Sequence, residues 1–473
     1  MHVHQLHSRV LIRRVVVVVS CLLAPLCAHT GPAAARAGGG KHYPAASSAD
    51  ISPLTTIHVG RNPVLVAIDA RDRRAFVADE GPLSGESQAL PAGPGSVDTV
   101  DERTGAVLRR VAVGQSPIAL GYDAPTGRVF VLCAGRIDTS AGLTAPGGSV
   151  SVLDAATGAL VRTLRVGAPT LPPQSLAGAA PGARQSLVVD STSGRVYVVV
   201  DAGVLVLDGR TGAVRGELDV SGSPVPTVGA IGGRPRRLFV GDGTAAGLPT
   251  ITPLGSTGSL LAILDARTGR GVANVVLRQP GVCGLAVDER AGRVLAVELP
   301  GDRAYSAIAD VVDARTGALV RRTDLGLPGD GNCAVGVDRT TARAFILYTP
   351  SPYEFQDGAG GRVVVVLDTR SGKLFGTAPL PTTTSQGGFL SRTLAIDEHN
   401  GRVLVAAPQG GTLGRTAPED TCVQVLDARS GRLLRRLRVG GGPQDVAIDG
   451  ATHRVFVTDA HADTLDVFDA ARL

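Results

Sequence analysis

Val150-Ser151-Val152-Leu153-Asp154-Ala155-Ala156-Thr157-Gly158-Ala159-Leu160-Val161-Arg162 is an apolar run, a five-residue turn and a second apolar run. In Asp-x-x-Thr-Gly the aspartate accepts backbone N–H bonds within the turn and the glycine takes the positive φ, so two short antiparallel strands meet there. The same turn recurs near every fiftieth residue, at Asp101 to Gly105, Asp208 to Gly212, Asp265 to Gly269, Asp313 to Gly317, Asp368 to Gly372 and Asp427 to Gly431, with a truncated copy at Asp469. A motif so regularly spaced marks a repeat architecture, and its residues are scaffold rather than catalytic.

A second element, an apolar run closing on Asp and followed by Gly-Arg-Val-Phe-Val or a variant, centres on Asp69, Asp123, Asp190, Asp288, Asp338, Asp397 and Asp449, with Gly232 at the degenerate position. Both tallies give eight. Each unit reads as four strands, A to D, of four to eight residues between Gly, Asp and Pro punctuation. In strand A the residue before the Asp is large (Ile68, Tyr122, Val189) and its predecessor usually small (Ala67, Gly121). That alternation lets the bulky face of one sheet pack on the thin face of the next. The domain opens with a lone D-type strand, Leu54 to Gly60, and ends after a C strand, Thr464 to Asp469, so the two ends complete one sheet. A ring closed in this way leaves no sheet to end the stack. The expectation is all-β: an eight-bladed β-propeller of four-stranded antiparallel blades over 54–473.

Val111 to Pro117 (Val-x-Val-Gly-x-x-Pro), Phe456-Val457-Thr458-Asp459 and Val150 to Asp154 make the repeat resemble the YVTN family of β-propellers, which includes YncE-like proteins. The resemblance covers Leu54 to Leu473 and implies an extracytoplasmic repeat protein with little chemistry of its own. YncE-like proteins are typically seven-bladed, whereas eight units are counted here.

Composition agrees with many short strands: Gly 62, Pro 30, aromatic content 3% and no Trp. The formal charge of +5 comes from Arg9, Arg13, Arg14, Arg36 and Lys41, all ahead of the first acidic residue, Asp50. Without them the basic and acidic residues balance, so nucleic acid is not expected as a partner. Arginines before an apolar stretch, Val15 to Ala28, read as a signal peptide over 1–28, with cleavage as late as 37 at the small residues Ala33 to Ala37. The stretch is interrupted by Pro25 and too short to span a bilayer. A flexible leader is expected over 29–53. The expected location is extracytoplasmic, secreted or periplasmic, with lipid anchoring at Cys21 a minor alternative; the mature chain is expected to be a monomer without a membrane span.

The A–B and C–D turns are short and uniform, while B–C and D–A connections swell repeatedly, as in Asp79 to Gly95, Cys133 to Gly148, Gly167 to Gln185, Gly241 to Gly258, Tyr348 to Gly361 and Ala407 to Thr421. Antiparallel order puts these connections at one end of every blade, which makes that end the expected binding face. Equivalent positions at the end of strand B carry Asp79, Asp242, Glu298, Tyr348 and Asp459, and Arg392, Gln444 and Asp445 stand at the start of strand A. With His461 they form a candidate polar ring for a small ligand. The competing reading is that each carboxylate caps its own connection. No cofactor is expected; a divalent cation at Asp459-Ala460-His461-Ala462-Asp463 is the one metal reading, although the acidic density of a calcium loop is missing.

Cys133, Cys283, Cys333 and Cys422 lie in the domain and show no metal-binding spacing. Cys283 and Cys333 stand five residues before their strand-closing Asp in adjacent blades. Two separate thiols are favoured there, pairing being admissible only with Cα atoms within about 7 Å. Absence of Trp argues against a quinone-dependent dehydrogenase, scattered histidines against a multi-histidine metal site, and the lack of Gly-x-Ser-x-Gly against a peptidase. The reading that survives is a binding or interaction module for a protein, polysaccharide or small polar ligand. A lactonase-like propeller hydrolase using a metal or acidic residues on the same face is the alternative.

Overall fold

In the computed structural model eight sheets are arranged around a ring, each with four antiparallel strands in the order A-B-C-D. The structure describes residues 41–42, 50–84, 90–135, 147–167, 186–200, 203–220, 226–242, 259–300, 306–328, 331–350, 363–380, 393–406 and 422–473. Blades one to seven occupy 63–112, 117–166, 187–218, 226–276, 281–328, 331–379 and 393–438. Blade eight takes its A, B and C strands from Pro443–Asp449, Arg454–Asp459 and Thr464–Asp469, and its D strand from Thr55–His58. Every A strand touches the A strands of both neighbouring blades, including blade eight on blade one, so the ring is closed.

The recurring turn explains its own sequence. In all seven complete copies the Asp carboxylate accepts from the backbone N–H of the Thr or Ser three residues on and from its hydroxyl, the latter at 2.6–2.9 Å. The glycine has φ of +66 to +77° in each, a conformation that a Cβ would strain. Backbone N–H donation by Thr104, then its hydroxyl, holds the Asp101 carboxyl below the usual range. In several blades the arginine that opens strand B pairs with the turn aspartate: Arg237 reaches Asp265 at 2.7 Å, Arg293 reaches Asp313 at 2.7 Å and Arg343 reaches Asp368 at 2.8 Å. Arg74 and Arg195 instead donate to carbonyls of the following blade's turn, at Ala155 and Ala266.

Between blades the core is made by strand B, whose third residue is Phe76, Phe130, Tyr197, Phe239, Phe345 or Phe456 in six blades, every one fully buried. Each such ring contributes about 1.5–3 kcal/mol on burial. The large and small positions of strand A mesh as expected: a Cβ on Gly121 would stand 2.7 Å from Val189 of the next blade. Within the stretch read as a leader, Lys41–His42 and Asp50–Ile51 add parallel strands outside the D strands of blades six and seven.

One cysteine expectation is corrected. Cys283 and Cys333 form a disulfide, with Cα atoms 5.7 Å apart, where two separate thiols were favoured. Facing levels on the A strands of neighbouring blades bring the two Cβ atoms together, because ring packing sets the distance between adjacent A strands. Cys133 and Cys422 are not disulfide-bonded.

Ring closure rests on a four-residue ladder, Thr55 to His58 on Val467 to Thr464, and on Ile57 and Val59 in the adjoining core. Removing residues 50–60 should lower the melting temperature by on the order of 10 °C and broaden the calorimetric transition. An unchanged melting profile would show that closure does not depend on this strand.

Candidate functional site

The antiparallel ladders place all B–C and D–A connections at one end of the ring. Their middles, 85–89, 136–146, 168–185, 243–258, 351–362, 381–392 and 407–421, lie outside the described residues, and Arg392 falls among them. The floor beneath them is described. Counting five residues from the strand-opening arginine gives Asp79, Cys133, Val200, Asp242, Glu298, Tyr348 and Asp459 in seven blades, the eighth count, from Arg402, falling outside the described residues, so the positions singled out from sequence are structurally equivalent. All seven side chains are buried, none more than 3% exposed.

These carboxylates point at the backbone of the connections above them. Asp459 Oδ1 accepts from the N–H groups of Gly442 (2.8 Å), His461 (3.1 Å) and Ala462 (3.1 Å). Glu298 Oε2 accepts from Arg278 and Gln279 at 2.8 and 2.7 Å, and Asp242 Oδ1 from Leu260 at 2.6 Å. Asp79 Oδ2 accepts from Ser96 Oγ at 3.2 Å. The Val-Gly of the D–A corner has a steric cause here. A Cβ on Gly440 would lie 2.9 Å from Asp459 Oδ2, one on Gly114 would lie 2.8 Å from Cys133 Cβ, and one on Gly60 would collide with Asp79.

Of the remaining candidates, Asp445 bridges two blades: its Oδ2 accepts from Val66 N–H of blade one at 2.9 Å and its Oδ1 from Val446 N–H at 2.8 Å. Gln444 is buried, with its carbonyl accepting from Thr393 Oγ1 of blade seven at 3.5 Å. Tyr348 is packed between blades five and six beside Cys333, its register partner. His461 is exposed and stands over Gly441 and Gly442. Blade eight thus brings together Asp459, Gln444, Asp445 and His461, whereas Asp242 and Glu298 serve blades four and five. Among the described residues no three His, Cys, Asp or Glu side chains are grouped to hold a metal.

A second tier was missed in the sequence. Asp98, Asp310 and Asp466 of strand C lie one step below Asp79, Glu298 and Asp459 on the same face of blades one, five and eight, and are almost wholly buried. Asp98 receives Arg110 through two 2.7 Å bonds, and Asp310 receives Arg322 at 2.9 and 2.6 Å. The available signal was an Asp inside an apolar C strand with an Arg twelve residues on. In blades one and five the lower acid raises the one above it. Burial, then the Asp310 charge, pushes Glu298 up to about 8. Burial, then Asp98, pushes Asp79 well above the usual range, and burial takes Asp242 to about 7.

With the geometry in place, comparison adds one thing. No family model matches the chain, and no curated protein does either. Solved structures do. The Dos1 propeller matches with a TM-score of 0.59 at 11% identity, covering 89% of this chain and 96% of its own. Saccharomyces cerevisiae Sqt1 matches at 0.56 and 11%, covering 89% and 99%. Kuenenia stuttgartiensis hydrazine synthase matches at 0.51 and 14%, covering 76% and 97%. The likeness is one of fold. At such identities it carries no residue of the site across.

Because Glu298 holds its proton in the folded state to about 8 and would release it near 4.5 when unfolded, its contribution to stability is whole below about pH 4.5 and drains as pH rises through about 8. Glu298→Gln keeps the acceptor for Arg278 and Gln279 but does not titrate. Its melting temperature should therefore fall less than that of the parent between about pH 5 and pH 9, so that the variant is a few degrees the more stable at the alkaline end. Parallel profiles in differential scanning calorimetry would show that this carboxyl is ionised in the native protein at neutral pH.

Proposed function

We propose that this chain is an exported β-propeller of the YVTN, YncE-like kind, acting as a binding or protein-interaction module through the face of its B–C and D–A connections. One observation carries the reading: the two ends of the ring are built differently. The turn end repeats one hydrogen-bonded loop with the same donors and acceptors in seven copies, while at the other end buried carboxylates of varying identity hold connections of varying length. A rigid floor under variable loops is how recognition surfaces are commonly made. The Cys283–Cys333 disulfide supports export, since such bonds persist in oxidising compartments. Among the described residues no helix is long and apolar enough to cross a membrane. The partner classes remain a protein, a polysaccharide or a small polar ligand.

A hydrolase on the same face is the second reading. It is favoured by carboxyls that titrate near neutrality, Asp242 at about 7 and Glu298 at about 8, a range suited to proton transfer. Replacing 243–258 and 381–392 by short Gly-Ser linkers should abolish binding to peptide and glycan arrays while leaving the melting temperature within a few degrees. Retained binding after that exchange, combined with loss on substituting the turn face, for example Arg339→Ser with Glu398→Ser, would move the interaction surface to the opposite end. Aldonolactone turnover that disappears in Glu298→Gln would favour the hydrolase.

A further inference from the structure

Three blades carry the stacked acids, and two of them neutralise the lower one in the same way. In blades one and five the D-strand residue in register with the strand-C aspartate is arginine, Arg110 on Asp98 and Arg322 on Asp310, each bidentate. In blade eight that register position belongs to the N-terminal strand and holds Thr56, whose hydroxyl donates one bond to Asp466 Oδ1 at 2.7 Å. Two buried carboxylates, Asp459 and Asp466, are therefore left without the cation that their counterparts possess.

Where the guanidinium would lie there is space. A cavity of about 560 Å³ opens between blades seven and eight, lined by Thr56, His58, Val439, Gly440, Thr464 and Asp466 among others. Asp459 Oδ2 is buried without a hydrogen-bond partner and faces Gly440, a residue of the cavity wall. Of the other charged groups at the mouth, Arg438 is paired with Asp50 at 3.1 Å and is directed outward, its side chain 66% exposed, and His58 is exposed. Pro53, Val439 and Ala462 supply apolar wall suited to an aliphatic stem. No three-ligand metal arrangement exists among the described residues, which favours an organic cation over an ion.

We propose that this cleft binds a guanidinium group carried on an aliphatic stem, as in arginine, with Asp466 as its bidentate partner and the Asp459 carboxylate behind it. The ligand would do in trans what Arg110 and Arg322 do within their own blades. Burial, opposed by the Thr56 hydroxyl and joined by the Asp459 charge, lifts Asp466 to about 6. Binding should accordingly strengthen as the carboxyl ionises between about pH 5 and pH 7. None of the residues lining the cleft belongs to the long connections, so the proposal stands whether or not those connections form an interaction face.

The test is isothermal titration of the mature protein with L-arginine, N-acetyl-arginine amide and an Ac-Gly-Gly-Arg-Gly-Gly-NH2 peptide. Saturable one-to-one binding is expected, lost at least tenfold in Asp466→Asn and retained in the Gly-Ser connection variant. Comparable affinity for arginine and the peptide would identify a free solute as the ligand, and preference for the peptide would identify an arginine side chain of a partner. Thr56→Arg supplies the guanidinium internally. It should raise the melting temperature by several degrees and remove binding of all three probes. Absence of saturable binding at millimolar concentrations, binding unaffected by Asp466→Asn, or Thr56→Arg that neither stabilises nor blocks would each overturn the assignment.

Discussion

A β-sheet that is apolar on both faces has to be covered twice, and in this molecule every blade is covered by its neighbours. That demand is met for all eight blades only if the last packs on the first. The joint is reinforced well beyond its short ladder. Val66 N–H of blade one is held by Asp445, Asn62 N–H by Asp463 at 2.8 Å, and Val59 N–H by the Asp463 carbonyl at 3.0 Å, so backbone from the chain's beginning is anchored on side chains and carbonyls from its end. Everything at the loop end, including the buried carboxylate tier, presupposes the spacing that closure imposes.

How much of this was legible follows from how local each cause is. Asp-x-x-Thr-Gly is written within five residues, because donors, acceptors and the positive φ all belong to one turn, and its copies reveal the blade count. The large and small positions of strand A are nearly as direct, since they repeat with the motif. The disulfide was out of reach of spacing alone: Cys283 and Cys333 meet because adjacent A strands are set side by side, a distance fixed by ring packing. The site was half legible. Position at the end of strand B was right for Asp79, Asp242, Glu298, Tyr348 and Asp459, but their burial, and the Asp98, Asp310 and Asp466 tier below, depend on how the corner backbone folds over them.

Stacked acids are an unusual way to support a loop. A single buried carboxylate on two or three N–H groups is well satisfied, whereas a second acid below it adds repulsion that a blade relieves by arginine or by keeping a proton. Blades one and five use Arg110 and Arg322. Blade eight, whose outer strand is supplied by the other end of the chain, has only a hydroxyl there, and this difference in composition separates it chemically from its siblings.

The outer rim carries a consequence of its own. Eight D strands form the outer rim, and an uncovered edge is a template for another chain. Most are studded with arginine, as in Val107–Ala112, Leu319–Pro328 and Leu433–Arg438, and two carry the short parallel strands from the leader region. Gly271–Val276 of blade four has neither guard: it is uncharged, with Val272 and Val276 40% and 44% exposed. Self-association in crowded solution has a starting point in that strand, which makes blade four a colloidal weak point of the molecule.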